Sequence, residues 1–137
     1  MNQRGSTIIE VIISFVIMVI ITQMVVTSFL RSDKVIKNNQ KIENISSEVS
    51  NIFNIFSADP INFIDNLDIN YNIIIIDNLY YLYYDFLFEE SVVNSNNYII
   101  INYYKEIDFY HLTINVYQDN KIDNKYNNLR RSIKYEK

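Results

Sequence analysis

The sequence has no cysteine and only one histidine, one glycine and one proline among its 137 residues. Without cysteine there are no disulfides, thiolate nucleophiles or cysteine metal sites, and the redox compartment is unreadable. The single imidazole, His111, cannot build a multi-histidine zinc site, and no spacing of carboxylates supports a site made from them alone. One glycine excludes a glycine-rich phosphate loop. Basic charge is also short: twelve Lys and Arg face sixteen Asp and Glu, for a net charge of -4, which argues against a nucleic-acid partner.

What is present is apolar. Hydrophobic residues make up 49% of the chain and aromatics 15%, enough for one domain and an element outside it, but too short a chain for two ordinary domains. Ile and Asn dominate, a bias that fits AT-rich codons and so carries only part of its face value as functional information. The rarity of Gly and Pro gives Gly5 and Pro60 weight as positions that need a reason.

Residues 8–30 form an apolar run of transmembrane length whose one charge is Glu10. The apolar region of a secretory signal peptide is typically only about 7 to 15 residues and ends at a small-residue cleavage site. No such site follows Leu30, so this segment is expected to stay attached. Beyond it Val35, Ile42, Ile45, Val49, Ile52 and Phe56 continue at intervals of three, four and seven, the mark of an amphipathic helix with a narrow seam. With no Gly or Pro in residues 6–57, one continuous helix is expected, roughly 75 to 80 Å long at about 1.5 Å per residue. Asp59 and Pro60 end it, because Pro biases the residue before it away from helix.

After Pro60 the pattern is strand-like, with candidate strands at 69–76, 79–88, 98–104, 109–117 and 129–135. Asp77-Asn78 predicts a two-residue hairpin, since both residues tolerate positive φ. Tyr110, Leu112, Ile114 and Val116 alternate with His111, Thr113 and Asn115, so one face packs on the helix and the other meets solvent. The run Ile73–Ile76 is apolar on both faces and predicts a central or doubly covered strand. Short connections favour an antiparallel meander. The fold class expected is α+β: a long amino-terminal helix packed on a small antiparallel sheet of four to five strands.

Residues 1–12 read MNQRG-STIIEVI: a short polar leader with Arg4, then Gly5, four mostly small or apolar residues, Glu10 and the long apolar run. This resembles the type IV prepilin signature shared by type IV pili, type II secretion pseudopilins and competence pseudopili. The motif covers about the first thirty residues, and the long helix followed by a sheet resembles the pilin fold. The resemblance implies four parts: a leader at 1–5, a transmembrane and filament-core helix at 6–30, its amphipathic continuation at 31–57 and a sheet head at 58–137.

It also implies a subunit, not an enzyme and without cofactor, that prepilin peptidase cuts between Gly5 and Ser6 and methylates on the Ser6 amine. Glu10 would then pair with the Ser6 amine of a neighbouring subunit, since a carboxylate in an apolar helix costs several kcal/mol unless paired. Gly5 suits the cut, because a residue without Cβ least crowds a scissile bond threaded in extended form. The implied partners are other pilins, the peptidase and the inner-membrane assembly platform. The implied location is the cell membrane as a single-pass protein, then an extracellular pilus or pseudopilus. The small head leans towards a minor pilin or pseudopilin. The sequence departs from the family in carrying Ser6 where Phe is commonest and in lacking helix-breaking Gly and Pro.

Other readings stay beside it. A membrane-anchored binding protein unrelated to pili has the same apolar helix, and an anchored enzyme would need a polar pocket of which the sequence shows no sign. Thr7, Glu10 and Ser14 share a helix face, where the hydroxyls serve either interhelical bonding or their own backbone. Arg31, Lys34, Lys37 and Lys41 outnumber Arg4, so the positive-inside rule alone would place the carboxyl-terminal domain in the cytoplasm, opposite to a pilin. Glu89-Glu90 reads as a solvated loop, and the basic tail 118–137 as an edge strand protected by its charges, with a nucleic-acid contact as the alternative. Tyr80, Tyr81, Tyr83 and Tyr84 would bury half their number by alternation, leaving the rest as a possible adhesive face.

Overall fold

The computed structural model describes residues 3–91 and 95–134, with side chains from Thr7 onward. The fold is α+β, a long helix with an antiparallel sheet, as expected; the sheet has six strands and not four to five, because a two-residue strand at Lys121–Ile122 also pairs in it. Helix α1 runs Gln3–Ala58, and helix α2 Phe63–Asn70. The strands are β1 Ile73–Ile76, β2 Leu79–Tyr84, β3 Asn97–Lys105, β4 Phe109–Gln118, β5 Lys121–Ile122 and β6 Leu129–Lys134, with a 3-10 turn at Asn124–Tyr126. All strand pairs are antiparallel, in the order β1-β2-β3-β4, with β5 and β6 both on the far side of β4. The chain divides into two compact units, Met1–Asn39 and Gln40–Lys137.

The first unit is helix throughout its described length. The second holds the core. Toward the end of α1, Ile45, Val49, Ile52 and Phe56 are buried, whereas Val35 and Ile42, earlier on the seam, are exposed. The apolar seam therefore meets its own sheet from Ile45 onward. Tyr110, Leu112, Ile114 and Val116 face that helix as their alternation requires, joined by Leu82, Ile99 and Ile101.

The helix stops where Pro60 says it should. Asp59 Oδ1 accepts from the amides of Ile61 and Asn62, both at 3.1 Å, so a side-chain turn replaces the next helical bonds. The Asn62 side chain, which donates to Asp59 Oδ2 at 2.9 Å, and then these amides hold the Asp59 carboxyl below its usual pKa. No base lies in the last turn of α1 itself. Arg131 on β6 supplies one: its Nη1 donates to the Phe53 carbonyl (3.2 Å) and the Ser57 hydroxyl (2.6 Å), and its guanidinium lies 5.0 Å from the centre of the Phe53 ring. A cation there complements the negative end of the helix.

Three expectations are corrected. Residues 69 and 70 close helix α2 and do not open a strand, because Phe63 and Leu67 lie one turn apart and both are fully buried. Phe63 packs edge-on against Phe56 (5.4 Å between centroids) and tilted against Tyr103 (5.3 Å), whose hydroxyl donates to the Pro60 carbonyl at 2.7 Å. The strand expected at 79–88 ends at Tyr84. Phe88 takes φ 64°, turns inward and stacks on Tyr84 at 4.6 Å, while Asp85 Oδ1 holds the amides of Leu87 and Glu89 at 2.8 and 2.9 Å. The run Ile73–Ile76 is neither central nor doubly covered. It is an edge strand, entering beside β2 directly after α2, and Ile74, Ile75 and Ile76 are exposed.

The Asp77-Asn78 hairpin is present, with φ of 50° and 62°. Asp119-Asn120 makes a second one of the same kind, with φ of 51° and 60°. Positive φ at both central residues suits the strand twist and usually calls for Gly, whose place Asn and Asp take here. The return from this second hairpin is interrupted. Tyr117 faces Ile122, but Ile114 faces Leu129, so the returning strand carries four extra residues. They leave the ladder in a turn capped by Asp123, which accepts from the Lys125 amide at 2.8 Å, and they tuck Tyr126 into the core. Asn128, at φ 56°, donates its amide to Asn115 Oδ1 at 2.6 Å and restores the ladder. The strand expected to reach 135 is described to Lys134; Tyr135 lies outside the described residues.

Candidate functional site

The candidate site is the amino-terminal stretch of α1. Gly5 and Ser6 have helical backbones in its first turns; their side chains lie outside the described residues. Glu10 follows one turn after Ser6 and is exposed. Around it, every large apolar residue in 8–30 is exposed, from 41% at Val19 to 77% at Phe29. Among the described residues this is the one helix long and apolar enough to cross a membrane. Residues 8–30 span roughly 35 Å at about 1.5 Å per residue, more than the roughly 30 Å of a bilayer's hydrocarbon core. The segment can therefore serve as a membrane anchor.

Such a surface is far larger than a soluble monomer leaves uncovered. Two of its polar groups are satisfied locally: Thr22 Oγ1 donates to the Met18 carbonyl (2.8 Å) and Thr27 Oγ1 to that of Gln23 (2.7 Å). These hydroxyls bond their own helix and add no polar cost. Glu10 has no such remedy, since a carboxylate cannot donate to a helix carbonyl. Thr7, Glu10 and Ser14 keep the spacing that puts them on one face.

Comparison with known proteins returns no match, whether to family models, curated proteins or solved structures.

The basic residues after the apolar run are not alike. Lys37 Nζ lies 3.0 Å from Asp33 Oδ2 within the helix. Lys41 is buried, with its ammonium 5.4 Å from the centre of the Phe86 ring. Asn44, one turn on, donates to the Leu87 carbonyl at 2.8 Å. Lys41 therefore belongs to the packing of the second unit and is not simply a flanking charge.

The other residues singled out by sequence fall into structural roles. Glu90 Oε1 accepts from the amide and the side chain of Asn72 (2.9 and 3.0 Å), tying the 85–91 loop to the start of β1. His111 sits on the outward face, its Nδ1 2.8 Å from Ser132 Oγ and its Nε2 3.3 Å from Glu106. Tyr84 is buried and donates to Glu48 Oε2 at 3.4 Å. Burial, then the Glu48 carboxylate, pushes the phenols of Tyr84 and Tyr71 well above their usual pKa. Tyr81 and Tyr83 lie on the opposite face with Tyr98 and Tyr117, the last two stacked at 4.7 Å. Among the described residues no three His, Cys, Asp or Glu converge as metal ligands.

Sequence reasoning missed Asn97. Its Nδ2 donates to the Asp85 carbonyl (2.9 Å) and its Oδ1 accepts from the Asp119 amide (3.1 Å), joining two loops across β3. One buried Asn among so many carries no signal in the sequence.

Proposed function

We propose that this chain is a minor pilin or pseudopilin, a structural subunit of a type IV pilus or related filament. Prepilin peptidase cuts it after Gly5 and methylates Ser6, and the apolar stretch of α1 then moves from the bilayer into a filament core built of like helices. The supporting observation is the wholly exposed apolar helix carrying one carboxylate, five residues after the only glycine. A plain anchor gains nothing from that charge. In a bundle of such helices, the freed amine of Ser6 on a neighbour satisfies it, and the positive end of the shortened helix favours it too. The same placement sets the axial register between subunits, because any other leaves a charge unpaired in an apolar medium.

The partners are then other pilins, the peptidase and the inner-membrane assembly platform, and the head stands outside the cytoplasm. The subunit performs no reaction of its own. Intact mass of the chain recovered from cells that carry the peptidase tests this: loss of residues 1–5 with gain of one methyl group is expected. A full-length, unmethylated chain overturns the filament reading in favour of a simple anchored protein.

A further inference from the structure

The two edges of the sheet differ in a way the fold does not need. From residue 42 to 104 the chain carries nine Asp and Glu and no Lys or Arg. This block contains α2, β1 and β2, and it ends the sheet in β1, whose four isoleucines carry no charge or proline to discourage another strand. Asp77 closes that strand, and Asp65 and Asp68 stand exposed on the helix leading into it. The opposite edge, β6, reads LRRSIK, with Arg130 and Lys134 exposed and alternating with Ser132 on the outward face. One edge is bare and lies in an acidic block, whereas the other is basic.

We infer that the β1 edge of one copy docks beside the β6 edge of the next, joining the heads of a filament into a shared sheet. Charge selects this pairing over the symmetric ones. A β1 to β1 contact sets acidic blocks against each other, and β6 to β6 sets Arg130 and Lys134 against their own kind; like charges across an interface are strongly disfavoured. Direction agrees as well. Each strand on the path β1-β2-β3-β4-β6 reverses its neighbour, so β1 and β6 run the same way, and copies stacked in one orientation meet as parallel strands. Such a contact is heterologous and does not close on itself, so it propagates along an assembly. Four residues of strand make a weak contact alone. The inference rests on the filament reading for the local concentration that makes weak contacts count.

The chain has no cysteine, so introduced thiols report cleanly. Ile76 and Ser132 are both exposed and on the outward face of their strands. In membranes of cells expressing the full chain, a short bis-maleimide should link the double variant Ile76→Cys, Ser132→Cys into a ladder of dimers, trimers and larger species. The two single variants expressed together should give dimers and nothing larger. Adding Lys134→Glu to the double variant should cut the ladder by roughly an order of magnitude, and Asp77→Lys beside it should restore it. Dimers from Ile76→Cys alone, or no ladder from the double variant, overturn the edge contact. Removal of residues 1–5, read by mass in the same samples, reports the filament reading separately, so either can fail without the other.

Discussion

Tyr84 shows how a single side chain links the helix to the sheet. Its ring fills the space beneath Phe88, while its hydroxyl reaches Glu48 on α1 at a distance too long for a strong bond. Burial favours the neutral phenol in Tyr84 and Tyr71, so both pKa values in the folded chain lie above the unfolded value of 10.0. A raised value means that the folded state holds its proton more tightly. The stability contributed is complete below about pH 10 and declines above it, as the unfolded chain ionises first. Thermal melts followed by circular dichroism should therefore hold a steady midpoint up to about pH 10 and fall beyond it. Tyr84→Phe should make that fall shallower, at a cost near neutrality of about 1 kcal/mol or less for the lost hydrogen bond. An equally steep fall in Tyr84→Phe would assign the alkaline transition elsewhere.

Among the elements, the end of α1 bears most on the stability of the head. Phe56 is fully buried, lies between Phe63 and Tyr103 with centroids at 5.4 and 6.2 Å, and touches helix, α2 and sheet together. Phe56→Ala should cost about 3–5 kcal/mol. Chemical denaturation in detergent checks this, and a loss under about 1 kcal/mol would mean that α2 can collapse into the space. Elements whose period or turn chemistry is distinctive were legible in the sequence: the seam from Ile45, the alternation of β4, the stop at Pro60 and the Asp77-Asn78 turn. Helix α2 was hidden because FIDNLDIN is rich in Asn, Asp and β-branched residues, poor formers in isolation, and its helicity is set by what Phe63 and Leu67 touch. Strand β1 was misplaced because four isoleucines in an Ile-rich chain do not imply cover on two faces. The Asp119-Asn120 turn was overlooked among many such residues.

For the whole molecule, the question is what covers the apolar length of α1. Of the residues proposed to act there, Gly5 and Glu10 stand out in the sequence as the only glycine and the only charge in the run, and Ser6 follows from the proposed cut. Their proposed partners do not stand out, since a filament contact would pair residues of different copies and leave no pattern within one chain. Glu10→Ala removes the proposed counter-charge without touching the cut. The variant should be processed like the parent chain, while the fraction in sheared, sedimentable filaments drops several-fold. Undiminished incorporation would separate Glu10 from assembly.

The four residues by which the strand returning from Asp119-Asn120 outruns β4 also restrict how this head can change in length. Successive residues of a strand face opposite ways, so an even excursion returns Leu129, Arg131 and Ile133 to the side from which they reach the core and the end of α1. An odd one would turn all three to solvent and bring Arg130 and Ser132 inward. The loop can thus grow in steps of two without turning the strand over, provided that Asp123 and Tyr126 keep their places, and a change of one residue there amounts to turning the last strand inside out.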